Sequence, residues 1–172
     1  MTISEIRTIL SQDDVAEELL QEILSDERKG VKTLVGSYMK RLERKSRERL
    51  RVESMYDVES RFYQEGLTHI VGIDEVGRGP LAGPVTAVIL PPHWFCAGLN
   101  DSKKVTPKHR EEIAAKIYES ALDVSVVSLS PEEIDAVNIY EATMMAMYQA
   151  VKNLTVSLEA VIVDAMPLHF NC

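Results

Sequence analysis

Apolar residues recur at helical spacing through residues 1–65. Val15, Leu19 and Ile23 repeat every four residues, and residues 28–51 carry a second apolar stripe between charged positions. No proline interrupts this region. The pattern predicts a helical N-terminal region over residues 1–65.

Two segments near the N-terminus have the pattern of a capping box, in which a Ser or Thr is followed three residues later by an acidic side chain. Thr2 is followed by Glu5, and Ser11 is followed by Asp14. We expect a helix to begin directly after Thr2 and another directly after Ser11.

From residue 66 onward, short apolar runs alternate with helical patterns. The apolar runs predict four β-strands, at residues 70–73, 85–90, 122–129 and 156–163. Helical patterns begin at Thr106–Pro107, Ser130–Pro131 and Asn138, the first two with proline at the first helical position. This order predicts an α/β domain over residues 66–172, with a mixed sheet flanked by helices.

Composition places the chain among ordinary globular proteins. It has 172 residues, of which 45% are hydrophobic and 27% are charged. No apolar run approaches the roughly 18 residues of a membrane span, and the first residues lack the build of a signal peptide. The two cysteines, Cys96 and Cys172, are far apart and favour free thiols in a reducing compartment. We therefore expect a cytoplasmic monomer that has no membrane partner.

The net charge of −8 is unevenly distributed along the chain. Residues 1–27 hold eight acids and one arginine, residues 28–51 hold ten Lys or Arg and two Glu, and the remainder is acidic. The basic block is either a solvated helix face or a phosphate-binding surface, and the sequence leaves both interpretations open. An acidic body that binds nucleic acid needs metal ions to offset its charge.

Acidic residues end the first and the last predicted strands. Asp74 and Glu75 follow the first apolar run, and Asp164 follows the fourth. Strands one and four of such a sheet are often neighbours, and their carboxyl ends then form a site. Three carboxylates without His or Cys favour Mg²⁺ or Mn²⁺, which typically act on phosphate esters. The plainer alternative is a solvated strand end.

One geometric condition applies to the adjacent acids. Successive strand residues point to opposite faces, so Asp74 and Glu75 share a site only if the strand ends or bends between them. The glycines Gly77 and Gly79 make such a turn plausible. Around Arg78 they also expose backbone amides that suit a phosphate or a ribose hydroxyl, although a simple tight turn is the commoner explanation of such a tripeptide.

A polar loop, residues 100–104, precedes the helix at Pro107. It contains Lys103 and Lys104, which either hold phosphate or are ordinary surface charges.

Four segments together resemble the ribonuclease HII family, the bacterial type 2 ribonucleases H. They are GIDEVGRGPLAGPV (72–85), LNDSKKVT (99–106), NIYEATMMAM (138–147) and VIVDAMPL (161–168). The resemblance covers roughly residues 66–172. Residues 1–65 resemble, more loosely, the helical extension of some bacilli-type members.

The resemblance implies a ribonuclease H-like fold and assigns roles to matching positions. Asp74, Glu75 and Asp164 match the metal-binding acids, which implies Mn²⁺ or Mg²⁺ as cofactor. The Gly77–Arg78–Gly79 motif matches the segment that recognises the ribonucleotide 2′-hydroxyl. The loop residues that match a contact to the substrate backbone are Asp101, Ser102, Lys103 and Lys104.

The implied reaction is endonucleolytic hydrolysis of RNA in RNA–DNA hybrids, or at single ribonucleotides embedded in DNA. It leaves 5′-phosphate and 3′-hydroxyl ends by a two-metal-ion mechanism. The implied partners are RNA–DNA hybrid and ribonucleotide-containing DNA.

One departure from the family concerns the C-terminus. The family continues beyond its third acid to a fourth metal-associated acid and a substrate-stacking tyrosine, whereas this sequence stops at Cys172. We therefore expect a catalytic domain that is incomplete at its C-terminus, with weak or absent cleavage. Two alternatives stay open: a non-catalytic binding module that uses the basic arm, and a Mg²⁺ phosphohydrolase of small substrates.

Overall fold

A computed structural model describes residues 1–75, 85–164 and 168. The chain forms two compact units, residues 1–51 and residues 52–172, and each is described by itself. The helices are α1 (Ile3–Ser11), α2 (Glu17–Leu24), α3 (Lys29–Glu53), α4 (Glu59–Gln64), α5 (Pro107–Ser120), α6 (Pro131–Val137) and α7 (Ile139–Lys152). The strands are β1 (Ile70–Glu75), β2 (Val85–Ile89), β3 (Asp123–Val127) and β4 (Ala160–Val163). Within the described ranges, no helix is both long and apolar enough to cross a membrane.

The capping box predicted at the N-terminus is present. The Glu5 carboxylate accepts from the Thr2 N–H at 2.7 Å, and the Thr2 hydroxyl accepts from the Glu5 N–H at 3.2 Å. These two bonds satisfy amides that the first turn of α1 would otherwise leave open. Helix α1 then packs into a small helical core whose buried members are Ile6, Leu10, Ile23, Val31 and Tyr38.

The capping box predicted at Ser11 is wrong. Helix α2 begins at Glu17, after Ala16, without a side-chain cap. The cause is a set of contacts from α3. The Arg41 guanidinium donates to the carbonyls of Leu10 at 2.6 Å and Gln12 at 2.8 Å, and the Lys45 ammonium lies 2.5 Å from the Asp13 carboxylate. Because α3 binds the segment between α1 and α2, that segment stays extended, and α2 starts later than predicted.

The sheet has the order β3-β2-β1-β4. Strand β1 pairs antiparallel with β2 and parallel with β4, and β2 pairs antiparallel with β3. The predicted α/β fold with a mixed sheet and flanking helices is therefore confirmed, as is the helical character of the N-terminal region.

One face of the sheet packs against α7. Alternate residues of each strand point the same way, and the buried set on this face is Val71, Ile73, Val85, Ala87, Ile89 and Val127, packed against Ala146, Met147 and Ala150 of α7. At the alternate positions of β1, Ile70 is buried, whereas Gly72 and Asp74 are exposed. The second face of the sheet is therefore where a site can form.

Capping residues set the helix starts around the sheet. Ser130 and Glu133 form the predicted capping box at α6, and the Thr106 hydroxyl accepts from the His109 N–H at the start of α5. Asn138 has a φ of 83°, and its side chain caps α7 by accepting from Tyr140 and Glu141. With a ψ of 162°, this backbone conformation is rare for residues other than glycine, and the two hydrogen bonds to the Asn138 side chain help to hold it.

Strand β4 is shorter than predicted and starts at Ala160 instead of residue 156. The Asp123 carboxylate accepts from the N–H groups of Thr155 at 2.6 Å and Val156 at 3.1 Å, and from the Thr155 hydroxyl at 2.9 Å. Burial acts to raise the pKa of Asp123, but these bonds outweigh it, so the pKa of Asp123 is lowered. The Asp123 side chain on β3 thus accepts hydrogen bonds from backbone N–H groups that the sequence pattern assigned to a strand.

Candidate active site

The pairing of β1 with β4 brings two predicted site residues to one place. Gly72 pairs with Ile162 and Ile73 pairs with Val163 in parallel register. The next residues along the two strands are Asp74 and Asp164, so the two aspartates stand level with each other. The prediction that the first and last strands are neighbours is confirmed.

A clamp at the other end of these strands stabilises this register. The Glu159 carboxylate accepts from the N–H groups of Thr68 at 2.7 Å and His69 at 2.8 Å, while the Glu159 N–H donates to the His69 carbonyl at 3.1 Å. The His69 ring contacts the Ser157 carbonyl through Nδ1 at 3.1 Å. The hydrogen bonds from the backbone N–H groups of His69 and Thr68 lower the pKa of Glu159. We infer that Glu159 helps to place Asp164 opposite Asp74.

Asp74 and Asp164 line a cavity of about 330 Å³ on the sheet face opposite α7. The lining residues are Gly72, Ile73, Asp74, Thr86, Val88, Ile162 and Asp164. Both aspartates are exposed to solvent. One Asp74 oxygen accepts from the N–H of Glu75 at 2.8 Å, which orients this carboxylate. The cavity thus has an apolar wall and two acids at the strand ends.

Glu75 occupies a different position from its neighbour. Strand β1 continues through Glu75, which pairs with Val85, while Asp74 pairs with Thr86. The alternation of β1 therefore directs Asp74 and Glu75 to opposite faces. Across residues 1–75 and 85–164, the structure shows no cluster of three or more acidic, His or Cys side chains that could hold a metal. The structure thus brings Asp74 and Asp164 together and leaves Glu75 apart from them.

The Gly77–Arg78–Gly79 motif lies outside the described residues. The loop of Asp101, Ser102, Lys103 and Lys104 is described and forms a short 3₁₀ turn, Ser102–Lys104, in which the Asp101 carboxylate accepts from the Lys103 N–H at 3.0 Å. All four side chains are exposed, and none lines the cavity beside Asp74. The roles of these seven residues stay predictions.

Sequence patterns alone missed three contributors to this site. Gly72 has no atoms within 4 Å of the place where a Cβ would stand, so its missing side chain keeps the cavity floor open. Thr86 lines the cavity as the partner of Asp74, and Glu159 belongs to the clamp. The period-2 alternation from Asp74 could have indicated Gly72. Thr86 and Glu159 require the strand register, which one sequence does not reveal.

Two protein-family models match the chain. The family model described as Ribonuclease HII matches residues 71–170, and the model of the Ribonuclease HII N-terminal domain matches residues 2–63. The chain belongs to the ribonuclease HII family. The resemblance carried by the four sequence segments is therefore confirmed.

Relatives in the ribonuclease HII family align along nearly the whole chain. The Ribonuclease HII of Ligilactobacillus salivarius is 44% identical over 170 residues, which are 98% of this chain and 66% of the relative. That of Lactobacillus gasseri is 45% identical over 173 residues, which are 99% of this chain and 68% of the relative. That of Bacillus mycoides is 43% identical, covering 98% of this chain and 66% of the relative. The chain thus spans about two thirds of the length of these relatives.

A search of solved structures finds ribonuclease H2 from Pyrococcus horikoshii. The TM-score is 0.48 at 26% sequence identity, and the match covers 58% of this chain and 51% of that chain.

Proposed function

We propose that this protein is a metal-dependent endonuclease of the ribonuclease H type. It hydrolyses the RNA strand of RNA–DNA hybrids and cuts at ribonucleotides embedded in DNA, giving 5′-phosphate and 3′-hydroxyl ends. One observation carries the proposal: Asp74 and Asp164, at the ends of adjacent parallel strands, line one cavity. Membership of the ribonuclease HII family supports the choice of reaction. That the enzyme acts as a cytoplasmic monomer stays a prediction.

Divalent cations fit the donor set at this cavity. Asp74 and Asp164 offer only carboxylate oxygens, and in the described part of the chain neither makes an ion pair. Two carboxylates at one cavity repel each other unless a cation lies between them. Oxygen ligands without His or Cys favour Mg²⁺ or Mn²⁺. We therefore assign Asp74 and Asp164 as ligands of Mn²⁺ or Mg²⁺. Such ions, when bound, help to deprotonate water and stabilise charge on a leaving oxygen.

Glu75 belongs to the proposed ligand set because it matches the family motif. In a regular β1 its side chain faces away from Asp74. It can join the other two only if the chain bends between Asp74 and Glu75, and Gly77 and Gly79 follow just downstream in sequence. The proposal therefore requires a bend at this point.

Substrate recognition is assigned to two segments by the same family motifs. The amides and guanidinium of Gly77–Arg78–Gly79 suit the ribose 2′-hydroxyl, which distinguishes RNA from DNA. The turn at Asp101–Lys104 presents two lysines to the nucleic-acid backbone, and its exposed position is compatible with this role. The cavity acids would then act on a phosphodiester that the two segments hold in place.

The test is cleavage of a duplex with a single embedded ribonucleotide, and of a full RNA–DNA hybrid, in the presence of Mn²⁺. We expect the wild-type chain to cut both at most weakly, and Asp74→Asn and Asp164→Asn to abolish any such cleavage and to weaken Mn²⁺ binding while hybrid binding persists. Asp135→Asn, on the exposed surface of α6, is the matched control and keeps full activity. Cleavage that survives both cavity variants would exclude the proposed site.

A further inference from the structure

The structure divides the cations of the basic block into two groups. Some are held by contacts within the first unit: Arg28 lies 2.5 Å from Asp26, Lys45 lies 2.5 Å from Asp13, and Arg41 binds the carbonyls at the end of α1. Cations of the second group lie exposed along one side of α3. Some cations of the basic block therefore stabilise the packing of the first unit, and others form an exposed surface.

The second group forms a stripe along one side of α3. Its members, called here the α3 cationic stripe, are Lys29, Lys32, Lys40, Arg44 and Arg47. Their spacings of three, eight, four and three residues keep them on one side of a helix with 3.6 residues per turn. At a rise of 1.5 Å per residue, the stripe is about 27 Å long. In the described residues, Lys29, Lys32, Lys40 and Arg44 make no ion pair with an acid.

Gly36 occupies the middle of this stripe, between Lys32 and Lys40. It is exposed, and nothing lies within 4 Å of the place where a Cβ would stand. A glycine inside a helix costs about 1 kcal/mol relative to alanine, and no packing contact in the described structure explains it here. It leaves a gap between the side chains of Lys32 and Lys40, where a flat anionic surface can approach the backbone of α3 closely.

The opposite side of α3 is committed to the core of the first unit. Val31 and Tyr38 are buried there, and Leu34 and Leu42 pack against the same cluster. This packing fixes which side of α3 faces outward. It also keeps the main apolar side of the helix from inserting into a lipid surface, as an amphipathic membrane helix would.

Acidic residues do little to neutralise the stripe. Glu43 lies on the same side and pairs with Arg47 at 3.3 Å, but both side chains are more than 60% exposed. An exposed pair of this kind contributes little free energy and exchanges readily with other partners. The stripe therefore stays strongly positive, although the chain as a whole carries a charge of −8.

We propose that the α3 cationic stripe binds the phosphate backbone of double-stranded nucleic acid. A straight row of cations about 27 Å long matches most of the roughly 34 Å of one duplex turn. Lys and Arg contacts to phosphate carry no sequence information, so the stripe would position a duplex and not select a base. The choice of nucleic acid as partner rests on the proposed function. The binding itself needs neither metal nor cleavage.

The sharpest test replaces Gly36, because the site is open. Gly36→Glu places a carboxylate between Lys32 and Lys40, and Gly36→Gln is its uncharged match in size. Both variants should fold at least as stably as the wild type, since each removes a helical glycine. In anisotropy titrations of a labelled hybrid in EDTA, we expect Gly36→Glu alone to reduce the slope of log K against log salt by about one unit. Equal binding by the two variants would overturn the proposal.

A second comparison distinguishes the effect of the stripe on binding from the effect of the net charge of the chain. Lys32→Gln, Lys40→Gln and Arg44→Gln combined should reduce the salt slope by about 0.9 for each cation. The control combines Arg7→Gln, Lys116→Gln and Lys152→Gln, which change the net charge equally at exposed positions elsewhere. Equal losses from both combinations would refute a specific stripe. So would a stripe combination that lost binding to anionic phospholipid vesicles while its duplex binding stayed unchanged.

This experiment distinguishes the stripe from the proposed catalytic site. The contribution of the stripe to binding in EDTA does not involve the cavity acids, so Asp74→Asn should leave that contribution unchanged. If the stripe variants bind normally while Asp74→Asn abolishes cleavage, the stripe proposal fails and the proposed function stands. If the stripe variants lose binding while Asp74→Asn still cleaves, the stripe proposal stands and the proposed function fails.

Discussion

Ile73 of β1 pairs with Val163 of β4 in parallel register, and an aspartate follows each of them. Parallel neighbours place corresponding side chains on the same face, so Asp74 and Asp164 line one cavity although 90 positions separate them. The sheet register therefore has direct consequences for the proposed chemistry, and it can be perturbed without touching either aspartate.

Glu159 offers such a perturbation. Its pKa is lowered by the His69 and Thr68 amides, so its contribution to stability is present above the unfolded-state value of 4.5 and is lost as pH falls through the lower folded-state value. We expect Glu159→Gln to reduce the free energy of unfolding at neutral pH, and the difference from wild type to shrink in acid. Urea unfolding across this pH range measures it. Glu119→Gln, at an exposed position of α5, serves as the control. A difference that does not depend on pH would contradict the clamp.

Gly72 provides a test of the cavity. Because space is open where its Cβ would stand, Gly72→Val should fold normally, and a β-branched residue suits a strand interior. The added side chain would enter the cavity beside Asp74, so we expect weaker Mn²⁺ binding and slower hybrid cleavage at an unchanged or higher Tm. Gly72→Ala should give a smaller effect of the same sign. Full activity in Gly72→Val would show that the reaction does not use this cavity.

Arg41 tests the packing role that the structure gives to part of the basic block. Its guanidinium binds the carbonyls at the end of α1 and lies 5.3 Å from the Tyr38 ring centre. Removing it leaves those carbonyls without this donor, so Arg41→Gln should destabilise the first unit by roughly 1–3 kcal/mol. Lysine cannot reproduce the two-pronged donor, so Arg41→Lys should restore little. Thermal unfolding followed by circular dichroism measures this, with Arg44→Gln as the near-neutral comparison.

Helix α7 allows a matched test of the sheet core. Met147 is fully buried against the sheet, whereas Met145, two residues away, is 52% exposed. We expect Met147→Ala to lower the free energy of unfolding by about 2–5 kcal/mol and Met145→Ala by less than about 0.5 kcal/mol. Denaturant titrations of the two variants give the comparison. Similar losses at both positions would mean that α7 does not pack as described.

Much of the fold follows from local patterns in the sequence. The capping boxes at Thr2 and Ser130, the prolines that open α5 and α6, and the apolar runs of the four strands are all local signals, and the structure contains them. Part of the site is equally local, since Asp74 and Asp164 each end an apolar run. These features could be predicted because neighbouring residues determine them.

The missed features depend on residues that are distant in sequence. Arg41 and Lys45 hold the link before α2 from about 30 residues away, and Asp123 holds the start of the β4 segment from 32 residues away. Each is a charged side chain whose partner is a backbone or side-chain group on another element. A sequence pattern shows the charge but not its partner. It therefore predicted where these two segments lie but not their conformation.

The parallel pairing of β1 with β4 also affects how the protein matures during synthesis. The Glu159 clamp joins groups that lie 90 residues apart in the chain, so closing it requires a long loop to be ordered first. Strands β1, β2 and β3 can pair as an antiparallel meander while translation continues, but the proposed site lacks one aspartate until β4 has left the ribosome. The two acids can therefore meet only after β1, β2 and β3 have been synthesised, and a nascent chain without β4 carries Asp74 alone.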